Sequence, residues 1–256
     1  MSVVLLAAAF AALRIVSLAP ALTEDLFAIG AGPRIVAVDS YSNRPAAAAK
    51  LPRVGSMANA NGEAILALHP DLVVGIAYQA RLLADLGRAG VRVEVIQLDD
   101  LAQDLTAIDR LGALTGNVGG ARAVHRHIAD ELAAIAARAA RHPVRSAFVA
   151  VGREPLYTAG PGSFIDDLLR LAHLRNVVAK SPTPWPLYSA ERLVVDQPDV
   201  VVLPAPDKPL TGAPWDHIGA VSAGHVVSIP EDDLLRPGPR VAAVLRSLVA
   251  QVDRWR

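Results

Sequence analysis

Two stretches of this chain repeat one pattern at a constant offset of 128 positions. The first runs Glu63, Ala64-Ile65-Leu66-Ala67-Leu68-His69, Pro70-Asp71, Leu72-Val73-Val74. The second runs Glu191, Arg192-Leu193-Val194-Val195-Asp196-Gln197, Pro198-Asp199, Val200-Val201-Val202. Each is an acidic residue, a short amphipathic helix, a Pro-Asp corner and an apolar strand. A copied element with an acid at the same place constrains the fold to two similar lobes, each presenting one carboxylate.

The flanking segments follow one order in both halves. Strands are predicted at residues 14–18, 35–38, 73–74 and 91–96, with helices at 23–29, 81–89 and 101–114. Ala19-Pro20 is read as the stop of the first strand, and Glu24 and Asp25 as first-turn acids favoured by the helix dipole. The second half predicts strands at 147–151, 177–178 and 225–229 and a closing helix at 239–256. Ser163 reads as the N-cap of a helix running to about residue 172, with Asp166 completing a capping box. Alternating strands and helices imply parallel β-α-β units. Residues 118–141 lack proline, and glycine after Gly120, so they predict one helix about 35 Å long. The expected organisation is α/β: two parallel-sheet, Rossmann-like lobes at 13–116 and 143–256, joined by a backbone helix at 117–142. A helical connection is stiff, so the lobes should rock little rather than clamp shut by a wide hinge motion.

Composition narrows the function classes. Lys plus Arg and Asp plus Glu stand at 25 each, which gives no global field for nucleic acid or an anionic membrane. The absence of cysteine excludes disulfides, thiolate metal sites, a cysteine nucleophile and a lipid-anchored cysteine. Residues 3–12 form an unbroken apolar run ending in Ala9-Phe10-Ala11. That run is too short to span a bilayer and fits the apolar region of a secretory signal, so 1–12 is read as a signal peptide or its remnant. The first basic residue is Arg14, which leaves an apolar lead-in to the first strand as the competing reading. No other segment approaches the ~18 apolar residues of a membrane span.

Catalytic and metal signatures are missing. Gly30-Ala31-Gly32 lacks the third glycine of a dinucleotide loop, and no nucleophile elbow or Walker lysine occurs. His125 and His127 diverge on a helix, and the other five histidines are isolated in sequence. The pairs Asp99-Asp100, Asp166-Asp167 and Asp232-Asp233 sit at helix starts or turns, where capping explains them. The expectation is a protein that is not an enzyme and holds no metal or cofactor.

Five segments in order carry a resemblance: Arg14 to Pro20, Asp39-Ser40-Tyr41-Ser42-Asn43-Arg44-Pro45, Glu63 to Val74, Thr183-Pro184-Trp185-Pro186 with Ser189 and Glu191, and Arg236-Pro237-Gly238-Pro239-Arg240. Together with Pro155 to Gly160, they identify the chain as resembling the class III periplasmic substrate-binding proteins. These are the helical-backbone receptors that feed ABC importers for cobalamin, ferric siderophores and haem. The likeness covers nearly all of residues 14–256 and is greatest to the cobalamin-binding members. It implies a periplasmic, monomeric receptor with no membrane span, whose ligand lies in a cleft between lobes. Cobalamin would be its transported ligand, and the membrane subunits of an ABC importer its partners.

By position, the resemblance puts ligand contacts on Tyr41, Tyr157, Trp185, Asp232 and Arg236. Where the cobalamin receptors carry further tryptophans, this chain has Met57 and Ala77-Tyr78. The family's docking glutamates fall on Glu63 and Glu191. Each role has a plainer rival. Trp185, held between two prolines, suits a flat macrocycle or plugs an interlobe core. Tyr41 and Tyr157 each offer a ring face and a hydroxyl. Asp232 and Arg236 either hydrogen-bond amide groups of a ligand or form a loop-shaping ion pair. The two glutamates orient a partner or simply favour a helix start. Arg44, Arg53, Arg81 and Arg153, near the candidate loops, keep an anionic ferric siderophore or haem open as an alternative ligand. A two-lobed α/β enzyme or cofactor-assembly subunit is the rival from another class.

Overall fold

The computed structural model describes residues 13–205 and 209–255; the apolar run at 1–12, read above as a signal, lies outside the described residues. The chain divides into two compact units. One comprises the described residues through Leu98 together with Ala102–His127, the other Asp99–Leu101 with the described residues from Ile128 onward.

In the first unit the elements are β1 (Ile15–Ser17), α1 (Pro20–Ala28), β2 (Ile35–Val38), α2 (Gly62–Ala67), β3 (Leu72–Ile76), α3 (Ala80–Arg88), β4 (Val93–Ile96) and α4 (Leu101–Thr115). Helix α5 (Val118–Ala139) then carries the chain into the second unit, the boundary falling after His127. The sheet has the order β2-β1-β3-β4, every neighbouring pair parallel. Leu72, Val73 and Val74 are wholly buried, as expected of a parallel strand covered on both faces. Ile65 of α2 and Leu83 and Leu86 of α3 pack on Val16, Ala37 and Val73 to form the core.

The second unit continues with β5 (Arg145–Val149), β6 (Gly152–Arg153), β7 (Leu156–Tyr157), α6 (Phe164–Leu171), β8 (Leu174–Asn176), α7 (Ala190–Asp196), β9 (Val200–Ala205), α8 (Gly219–Ser222), β10 (Val226–Pro230), α9 (Glu231–Leu234) and α10 (Val241–Val252). Its main sheet, β10-β9-β5-β8, is again all parallel. Counted in chain order, both sheets run second, first, third, fourth. Phe148, Leu193, Val201, Trp215 and Ile218 centre the core here.

The repeated element leads into the third strand of each sheet, and its internal bonds repeat too. Asn61 and Ser189 cap their helices, accepting from Ala64 N and Arg192 N at 3.0 Å each. His69 (φ 46°) and Gln197 (φ 39°) both take the left-handed conformation ahead of the proline. Asp71 accepts from the Arg14 backbone N–H at 2.7 Å, and Asp199 from the Ser146 N–H at 2.7 Å. The Pro-Asp corner is thus a clamp on the start of the first strand of each sheet. Burial alone would raise the Asp199 carboxyl, but the bonds from Ser146 and the charges of Arg145 and Arg175 hold it below the ordinary carboxylate range.

Three local expectations are corrected. Ala19-Pro20 starts α1 rather than stopping a strand: Pro20 occupies the first turn, where its missing N–H is no loss. Glu24 and Asp25 therefore lie inside the helix and are buried, with no acid in its first turn. The strand expected at 177–178 is β8, at Leu174–Asn176. Ser163 caps α6 as expected, but the Asp166 carboxylate accepts from Asn176 Nδ2 at 2.7 Å.

Candidate functional site

In open parallel α/β sheets, ligands bind beyond the carboxyl ends of the strands, near the point where strand order reverses. In the first unit that point lies between β1 and β3. Gln79 bridges it, donating to Leu18 O at 2.7 Å and accepting from Ile76 N at 3.1 Å. This bond fixes the Ala77-Tyr78-Gln79 turn after β3 and leaves the Tyr78 ring 71 % exposed. Tyr41 sits on the loop after β2 and is also exposed. Its backbone N–H donates to Asp39 at 2.9 Å, and Ser42 also bonds to Asp39.

The loop carrying Met57 is joined to the Tyr41 loop by Ser40 N donating to Gly55 O at 2.7 Å. Gly55, at φ 105°, closes so tightly that a Cβ would lie 2.5 Å from Asn59 O. Arg53 spends its guanidinium on this loop, donating to Asp39 O at 2.8 Å, Ser42 O at 2.7 Å and Ala49 O at 3.2 Å. It is thereby a structural brace. Tyr41 and Met57 are brought onto linked loops; Tyr78 leaves a strand two positions along the sheet.

In the second unit Tyr157 and Trp185 are brought together by main-chain pairing. Thr158 N donates to Pro186 O at 3.1 Å, Gly160 N to Pro184 O at 2.8 Å and Tyr188 N to Leu156 O at 2.9 Å. With the β6-β7 pairing, in which Gly152 faces Tyr157, these bonds make a small antiparallel sheet. Pro184 and Pro186 accept through their carbonyls but have no N–H to give, which suits an edge. Gly160 is required where the strands meet, since a Cβ there would lie 2.8 Å from Thr183 O.

Side chains alternate across such a ladder. Leu156 and Thr158 point to the buried side, and Tyr188 packs on the core. The Tyr188 hydroxyl bonds to Asp196; burial first, then that bond, pushes it up to about 12. Tyr157, Trp185 and Leu187 share the opposite, outward face, with exposures of 41 %, 41 % and 62 %. The Trp185 ring leans on Phe164 at a centroid distance of 6.2 Å. Sequence reading missed Leu187. The alternation Trp185-Pro186-Leu187 was the available signal, since period 2 puts the first and third residues on one side.

Asp232 lies in α9 and Arg236 in the segment after it, following β10. They form an ion pair at 2.5 Å, so the loop-shaping pair considered above is present and the two charges offset each other. Behind them Arg240 bonds to Asp233 and to Asp232 O.

Glu63 and Glu191 occupy the first turns of α2 and α7 and are exposed. Both helices run back against the strand they precede, so both acids lie at the carboxyl edge of their own sheet. They are held differently. Ser189 Oγ donates to Glu191 at 2.6 Å, and this bond, then the residue's own backbone N–H, lowers the Glu191 carboxyl below its ordinary range. No group of three or more metal-ligating side chains is assembled among the described residues, and none of their helices is long and apolar enough to cross a membrane.

Residues 15–232 match the periplasmic binding protein family. Over 253 residues the chain is 30 % identical to the vitamin B12-binding protein of Yersinia pseudotuberculosis, covering 94 % of this chain and 87 % of that protein. Among solved structures, the periplasmic vitamin B12 binding protein of Vibrio cholerae superposes with a TM-score of 0.83 at 28 % identity, over 94 % of this chain and 96 % of that one. The periplasmic heme-binding protein of Roseiflexus gives a TM-score of 0.81 at 25 % identity, over 94 % and 98 %.

Proposed function

Because the chain belongs to the periplasmic binding protein family, of the class III type, we propose that it captures cobalamin or a related corrinoid in the periplasm and delivers it, as a monomer, to an ABC importer. The carrying observation is the outward face of the second unit's ladder. Tyr157, Trp185 and Leu187 expose apolar surface there. A broad, flat, uncharged macrocycle buries such a face without ordering many torsions.

Two arginines of the candidate loops are already engaged within their own units. Arg236 is offset by Asp232, and Arg53 is consumed by backbone carbonyls, which removes one of the arginines that kept an anionic chelate open. The likeness to vitamin B12-binding relatives points the same way. Haem is the second reading, because a flat macrocycle also fits this face and a heme-binding protein shares the fold.

The protein performs no chemistry; its work is binding and handover. Tyr41, Met57 and Tyr78 of the first unit would supply further ligand surface. Asp232 and Arg236 would hydrogen-bond amides at the ligand's rim, and Glu63 and Glu191 would dock to cationic groups on the importer. Trp185→Ala tests the wall directly. Losing a half-exposed indole from a ligand interface should weaken cyanocobalamin binding by about tenfold or more; unchanged affinity would remove Trp185 from the site.

A further inference from the structure

We infer that Leu187 is a third member of the ligand wall and a determinant of what it accepts, a conclusion that rests on the receptor reading above. A lone exposed leucine needs no explanation, but Leu187 is not placed as a lone residue. It bridges Tyr157 directly. The flanking bonds, Thr158 N to Pro186 O and Tyr188 N to Leu156 O, make this the non-hydrogen-bonded kind of pair, in which facing side chains approach most closely. Trp185 lies two residues away, at a bend that the bond from Gly160 N to Pro184 O ties to the Tyr157 segment. All three side chains expose apolar surface on this paired stretch.

The exposure of that stretch is specified by the register. A slip of one residue in this segment would turn Leu187 inward and bring Tyr188 out. Thr158 is wholly buried and Tyr188 is bonded to Asp196, so the register is held from the buried side. Pro184 and Pro186 restrict the backbone on either side of Trp185 and up to Leu187. The side chain is therefore presented on a preformed surface, where covering it costs little ordering. Its occupant is the methyl-rich, uncharged edge of a tetrapyrrole-type macrocycle lying across Trp185 and Tyr157.

Equilibrium titration with cyanocobalamin and haemin tests this on wild type, Leu187→Ser, Leu187→Met and the exposed control Val195→Ser. Leu187→Ser should weaken the wild type's preferred macrocycle by about 5- to 10-fold, as expected for leucine surface left uncovered. Leu187→Met should stay within about twofold, since it keeps the apolar volume, and Val195→Ser should match wild type. Equal affinity of wild type and Leu187→Ser overturns the inference while leaving the receptor reading intact. Failure of Leu187→Met to retain binding overturns an apolar-contact role. Absence of any macrocycle binding by wild type overturns the receptor reading and this inference with it.

Discussion

Asp25 offers a perturbation with a calculable sign. It lies inside α1, fully buried, and neither carboxylate oxygen has a hydrogen-bond partner. Burial first, then the charges of Asp104 and Glu24, raise its carboxyl well above the ordinary value. In the unfolded chain it ionises near its ordinary value of about 3.9. Above that pH the folded state holds a proton that the unfolded state has released. Stability therefore falls as pH rises, by about 1.4 kcal/mol per pH unit, until the folded-state value is passed. Below pH 4 both states are protonated and the penalty vanishes.

Asp25→Asn removes the titration while keeping the shape. Between pH 5 and pH 7 its stability advantage over wild type should grow as pH rises, as long as the folded wild type keeps the Asp25 proton, and its Tm should rise relative to wild type in step. Thermal and urea unfolding of both proteins at pH 5, 6 and 7 measure this. Parallel pH profiles, with a difference that does not change between pH 5 and 7, would refute a protonated buried Asp25.

Three further outcomes follow from the repeat. His69→Gly should stabilise by about 1 kcal/mol, because glycine relieves the left-handed backbone. Gln197→Gly should destabilise in the same urea unfolding assay, because Gln197 also bonds to Val194 O, His217 O and Gly219 N. Glu63→Ala/Glu191→Ala should bind ligand as wild type does yet fail to support uptake in cells, since exposed rim charges set association more than affinity; loss of ligand affinity would remove both residues from docking.

The repeat was legible because its parts are local. An acidic helix start, an amphipathic run, a Pro-Asp corner and an apolar strand each act within a few residues, and Glu, Pro-Asp and Val-Val recur 128 positions apart. The clamp role of Asp71 and Asp199 was not legible, since it depends on pairing with Arg14 and Ser146, more than 50 residues away. The start of α1 was misplaced because Ala19-Pro20 serves equally as a strand stop and a helix first turn; tertiary burial of Asp25 overrode the dipole argument. Trp185 stood out as a tryptophan between prolines. Leu187 did not, because a leucine becomes a surface residue only once the ladder's register turns its neighbours inward. The duty of Arg53 was likewise hidden, its acceptors being main-chain carbonyls that carry no sequence signature.

Equilibrium titration of the purified protein against cyanocobalamin, haemin and a ferric hydroxamate tests most directly the proposal that the apolar face of Tyr157, Trp185 and Leu187 receives a corrinoid. Cyanocobalamin should bind at about micromolar or tighter, with the other two at least about tenfold weaker. Tight binding of haemin or the ferric chelate, with no binding of the corrinoid, would contradict it.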